Sequence, residues 1–173
     1  MKSKFYDHDH EEYGSWKITG QNKKILHALN DLIRINIDRI TAYEKASHDE
    51  MMPSPEVKEV FYRLATDSRA YVNTLHAEVI HLGGAPVTQS TITGKIYLHW
   101  LEGKYSFEGP DIPSRLSACI EAESAVQKAY QQALDEQNHL PERIYLLVEN
   151  QLWALERARE QLSGLQQSLT STT

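Results

Sequence analysis

One cysteine in 173 residues leaves no partner for an internal disulfide, so the fold has to be held by its core. Long hydrophobic runs are missing too. No stretch comes near the roughly 18 apolar residues that a membrane-spanning helix needs, and the opening residues Met-Lys-Ser-Lys-Phe-Tyr-Asp-His lack the apolar core of a secretory signal. Both absences lead to the expectation of a cytoplasmic protein. Positive charge is in short supply: 18 basic against 24 acidic residues give a formal charge of −6, which argues against nucleic acid or an anionic membrane as the main partner. The chain also has no Ser/His/Asp order, no Gly-rich phosphate loop and no paired-cysteine motif. It carries no internal repeat.

What is present is helical periodicity. Ile25, Leu29, Leu32, Ile33, Ile40 and Tyr43 recur at steps of three and four residues, predicting a first helix from Asn22 to about His48. Ser54-Pro55-Glu56 has the capping serine, early proline and early carboxylate of a helix start. The second helix then carries Val57, Phe61, Leu64, Tyr71, Leu75, Val79 and Leu82 and stops at Gly83-Gly84. A third helix is predicted from about Asp111 to Glu136, and a fourth from Pro141-Glu142 with Ile144, Val148, Leu152, Leu155, Leu162 and Leu165 inward. Residues 1–20 read as a flexible arm, 21–168 as the bundle and 169–173 as a frayed tail.

The connections predict the topology. Short links between the first and second helices, and between the third and fourth, call for two antiparallel hairpins. About 26 residues separate the second helix from the third, enough for a crossover running the length of the bundle. Ile92, Ile96, Tyr97, Trp100, Leu101, Tyr105 and Phe107 predict a short extra amphipathic helix within it, and its aromatic surface predicts a homodimer contact.

Two apolar stripes are interrupted. Asn36 breaks the first helix's stripe, and Glu123 breaks the stripe Leu116, Cys119, Ile120, Val126, Tyr130 of the third. Buried polar groups need partners, and Tyr43 and Tyr130 on the same stripes are the natural hydrogen-bond donors and acceptors. With a hydrogen-bonded acid and no metal, Glu123→Gln is expected to leave stability unchanged or slightly raised.

The strings NDLIRINIDRITAYEKA, LHAEVIHLGGAP and CIEAESAVQKAYQQAL, with GKIYLHWLEGKYS in the crossover, resemble an uncharacterised bacterial family of ferritin-like four-helix-bundle proteins, a domain of unknown function related to bacterioferritin and rubrerythrin. The resemblance covers about residues 25 to 165. It implies an all-α ferritin-like bundle without implying a reaction. Di-iron bundles of this kind take one Glu from each of two helices and a Glu-x-x-His from each of the other two. Matched helix by helix, Asn36 stands where the first glutamate would be, Ala70 and Asn73 where the second helix's pair would be, Glu123 at the third helix's glutamate, and Glu149 with Leu152 where the fourth helix's pair would be. The positions Asn36, Glu123 and Glu149 therefore read as a vestigial di-metal site.

Other candidate residues carry less. Glu78 and His81 form a Glu-x-x-His near the end of the second helix and read as surface; Glu44 and His48 read as helix-surface neighbours. The acidic, His-rich run Asp7 to Glu12 reads as a weak metal binder in vitro. His76 reads as a structural histidine and Cys119 as a small core residue. The resulting expectation is a non-enzymatic bundle, structural or stress-associated, with no firm cofactor. The alternative is a metal-binding protein or oxidoreductase with a reduced, mononuclear carboxylate centre around Glu123 and Glu149 and a weakly bound metal ion.

Overall fold

The computed structural model describes residues 20–50, 54–90, 111–135 and 139–171. Four helices account for most of them: α1 (Gly20–Ser47), α2 (Pro55–His81), α3 (Ile112–Ala133) and α4 (Glu142–Ser171). At roughly 1.5 Å per residue they are about 33 to 45 Å long, well matched for side-by-side packing. No helix among the described residues is long and apolar enough to cross a membrane.

The helix ends follow their local chemistry. The Ser54 hydroxyl accepts from the Val57 N–H at 3.3 Å and Pro55 follows it into the first turn, while the Asp111 carboxylate accepts from the Ser114 N–H at 2.7 Å. Those N–H groups have no carbonyl partner inside the helix, so each cap removes an unmet donor. At the far end of α2, Gly83 turns to a φ of 73° and the Gly84 N–H reaches back to the Val79 carbonyl at 2.9 Å. This is the left-handed turn that the Gly83-Gly84 pair predicts.

Ion pairs show how the helices run. Asp49, just past the end of α1, pairs with Arg115 at the start of α3, and Glu78 at the end of α2 pairs with Arg143 at the start of α4, 2.6 Å apart. Thus α1 is antiparallel to α3, α2 is antiparallel to α4, and α2 and α3 run the same way. A parallel α2 and α3 require a connection that travels the length of the bundle. Its first residues lie back along α1: Val87 N–H donates to Asn30 Oδ1 at 2.9 Å, Asn30 Nδ2 donates to the Ala85 carbonyl at 3.3 Å, and Ser90 bonds the Asp38 carboxylate.

Three boundaries differ from expectation. Helix α1 begins at Gly20 instead of Asn22; α3 ends at Ala133, short of Glu136; and α4 continues to Ser171, through most of the residues expected to fray. There the Gln166 amide, three turns past Leu155, holds the Pro113 carbonyl at the start of α3 at 3.0 Å, tying α4 down near its end. The extra helix in the crossover, the N-terminal arm before Gly20 and the aromatic dimer contact fall outside the described residues.

Apolar packing forms two halves. One gathers Leu29, Ile33, Leu75, Val126, Val148 and Leu155; the other gathers Phe61, Leu64, Leu116, Cys119 and Leu162. Between them lies a buried layer of polar side chains.

Candidate functional site

The polar layer is built from residues that helical spacing delivers to the bundle axis. On α1, Asn36, Arg39 and Tyr43 fall at steps of three and four and share its inner face. On α3, Glu123 and Tyr130 are two turns apart on one face. Ser68 from α2 and Gln151 from α4 complete the layer. All seven are buried.

At its centre is an ion pair. Arg39 is 1% exposed and Glu123 0%. Arg39 Nε and Nη2 donate to Glu123 Oε1 at 3.0 and 2.9 Å, and Nη2 also donates to Oε2 at 3.1 Å. On its other side, Nη1 donates to the Ser68 hydroxyl at 2.9 Å and lies 3.4 Å from Asn36 Oδ1. The guanidinium thus places donors on α1, α2 and α3 groups at once, while its carbon sits 5.6 Å from the centre of the Tyr43 ring. The Tyr43 hydroxyl donates to Glu123 Oε1 at 2.5 Å, the short distance expected when an O–H meets a carboxylate.

The second arm runs through amides. Asn36 Nδ2 donates to Tyr130 Oη at 2.7 Å and to the Leu32 carbonyl at 2.8 Å. Tyr130 in turn donates to Gln151 Oε1 at 2.8 Å, and Gln151 Nε2 donates to Thr74 Oγ1 on α2 at 2.9 Å. The network therefore touches all four helices. Each buried polar group in it is met, as groups removed from water must be.

The electrostatics follow from burial. Tyr43 and Tyr130 are pushed up from the usual phenol range, first because burial disfavours the phenolate; near Tyr43 the Glu123 carboxylate adds to that. Burial alone would favour a neutral Arg39, but Glu123, with Tyr43 and Tyr130 beyond it, outweighs burial and raises its pKa. Cys119, one turn from Glu123, is pushed well up by burial and then by that carboxylate. A thiol held in that form is a poor nucleophile.

Of the residues singled out in the sequence, Asn36, Tyr43, Glu123 and Tyr130 come together. Glu149 does not: it is half-exposed, while Val148, Gln151, Leu152 and Leu155 take the inner face of α4. On α2, Ala70 and Asn73 are exposed, and the inward polar group is Ser68. Glu78 is not surface; it is buried against Arg143, while His81 is exposed. Glu44 reaches across to Arg69 on α2, and the His48 ring meets the backbone carbonyl of Glu44 instead of its carboxylate, at 2.8 Å. His76 is half-buried, its Nε2 on the Val87 carbonyl at 2.9 Å.

Arg39 is the residue that the sequence reading missed. It lies one helical turn beyond Asn36, and a buried carboxylate at Glu123 already called for a cation. Gln151, on the stripe of Val148 and Leu155, interrupts α4 just as Asn36 interrupts α1.

The donor set does not fit a di-metal centre. One buried carboxylate, two amides, two phenols, a hydroxyl and a guanidinium face the axis, with no imidazole among them, and Glu123 already has both oxygens on Arg39. Among the described residues no group of three or more His, Cys, Asp or Glu side chains is placed to hold a metal ion.

A family model described as a domain of unknown function (DUF2383) matches residues 24–136, which take in most of α1 and all of α2, the crossover and α3. The chain belongs to that family. Its fold is similar to a crystal structure described as ferritin like, diiron-carboxylate proteins from Bacillus anthracis str. Ames, with a TM-score of 0.68 at 16% identity, over 86% of this chain and 99% of that one. At that identity the likeness is one of fold. No curated protein matches the chain. This DUF2383 member is thus an all-α, ferritin-like four-helix bundle.

Proposed function

We propose that this bundle is a non-enzymatic, cytoplasmic protein, structural or stress-associated, in which the position of a di-metal centre has degenerated to Asn36 and Glu123. The observation that carries the reading is the Arg39 guanidinium lying across both oxygens of Glu123 in the middle of the bundle. A divalent ion ligated by Glu123 would face that fixed positive charge at close range in a poorly screened interior, where like charges repel strongly. Hard cations also need several oxygen ligands, and the layer supplies a single carboxylate. The alternative of a weakly held metal ion on Glu123 and Glu149 finds no support in the position of Glu149.

Elemental analysis of protein purified without a tag or metal column, with melting curves before and after chelator dialysis, tests this. Substoichiometric metal and an unchanged melting temperature are expected. About two irons per chain, the complement of a working di-iron bundle, with oxygen or peroxide turnover lost in Glu123→Ala, would overturn the reading.

A further inference from the structure

The contacts of Arg39 define more than a neutralised carboxylate. A guanidinium carries five N–H donors in a flat fork, and here the five donor contacts run to Glu123 Oε1 twice, Glu123 Oε2, Ser68 Oγ and Asn36 Oδ1. Each acceptor is itself fixed from behind. Ser68 donates onward to the Leu64 carbonyl at 2.7 Å, Asn36 is anchored on Leu32 and Tyr130, and Glu123 Oε1 is pinned by Tyr43. The Tyr43 ring supplies an aromatic neighbour to the cation. An ammonium has three donors and a metal ion none, so neither reproduces these five contacts.

We infer that the centre of the bundle is a guanidinium-recognition site whose ligand is carried on the chain. The inference rests on the reading of the position as one that no metal fills, and names the chemical class that fills it. Removing the Arg39 side chain should leave a buried site for a free guanidinium ion, with Glu123, Ser68, Asn36 and Tyr43 as its recognition groups.

The test is thermal melting of Arg39→Ala in guanidinium chloride and methylguanidinium chloride at millimolar concentration, against sodium chloride at equal ionic strength and against manganese, iron(II) and zinc salts. A ligand that binds only the folded state raises the melting temperature. Arg39→Ala is expected to gain several degrees from either guanidinium salt, while wild type and Arg39→Ala/Glu123→Gln gain nothing. Stabilisation by a divalent metal but not by methylguanidinium, or by neither, overturns the inference. If Arg39→Ala does not fold, Arg39→Lys decides: it keeps the charge without the fork and should melt clearly below wild type, and a lysine variant as stable as wild type shows that charge alone is recognised. Metal bound to the wild-type protein would instead defeat the underlying reading, so the two failures are distinct.

Discussion

Glu123 illustrates how one partner reverses the sign of a substitution. With hydrogen bonds alone, replacing its carboxylate by an amide would remove a buried charge and cost nothing. With Arg39 beside it, Glu123→Gln leaves a guanidinium buried without its counter-ion. Breaking a buried pair from one side typically costs about 3–5 kcal/mol, whereas replacing both members is far less damaging. Urea unfolding should therefore show Glu123→Gln destabilised by about 3 kcal/mol, with Arg39→Met/Glu123→Gln more stable than the single variant. A neutral Glu123→Gln would contradict the ion pair as the organising contact.

At the level of elements, each helix is bounded by its own sequence while its partner is chosen elsewhere. Ser54, Asp111 and Gly83 act locally, through a side-chain oxygen or a backbone that lacks a Cβ. Gly83 offers a clean measurement because a Cβ there would meet nothing within 4 Å. Any loss in Gly83→Ala is then the backbone cost of the left-handed conformation, roughly 1–2 kcal/mol. Equilibrium unfolding should register about 1 kcal/mol for Gly83→Ala and less for Gly83→Asn, since asparagine tolerates that region. Equal stability of all three proteins would mean that the turn relaxes out of the positive-φ region.

Across the whole molecule, two hairpins are joined by a polar layer at mid-height and by ion pairs toward the ends, Asp49 to Arg115 and Glu78 to Arg143. A shift of one helical turn between the hairpins would break both pairs and leave the largely buried Glu78 without its cation. Beyond the single chain, we propose a homodimer formed through the crossover, on the strength of Tyr97, Trp100, Tyr105 and Phe107 within one short stretch. Sedimentation velocity should show a dimer at tens of micromolar that Trp100→Ala weakens. A monomer in both proteins removes the proposal.

The four helices, the Ser54 cap, the hairpins and the crossover were legible in the sequence because each depends on local chemistry: apolar residues at helical steps, Ser54 as a cap, Gly83 as a stop, and linker lengths that permit only certain returns. Asn36 and Glu123 were legible as anomalies for the same reason, as polar residues on apolar stripes. Their partners were not. Arg39 falls in register with Asn36 and Tyr43 on the inner stripe, but a long cationic side chain ordinarily reaches water, and only the packing of α1 against α3 supplies the buried Glu123 as its partner. The same packing decides between neighbours on a helix, bringing Ser68 in and leaving Ala70 and Asn73 out, and choosing Gln151 over Glu149. A difference of two residues rotates a side chain by about 200° around a helix. The spacing of one sequence cannot set that angle against three other helices; their mutual packing does.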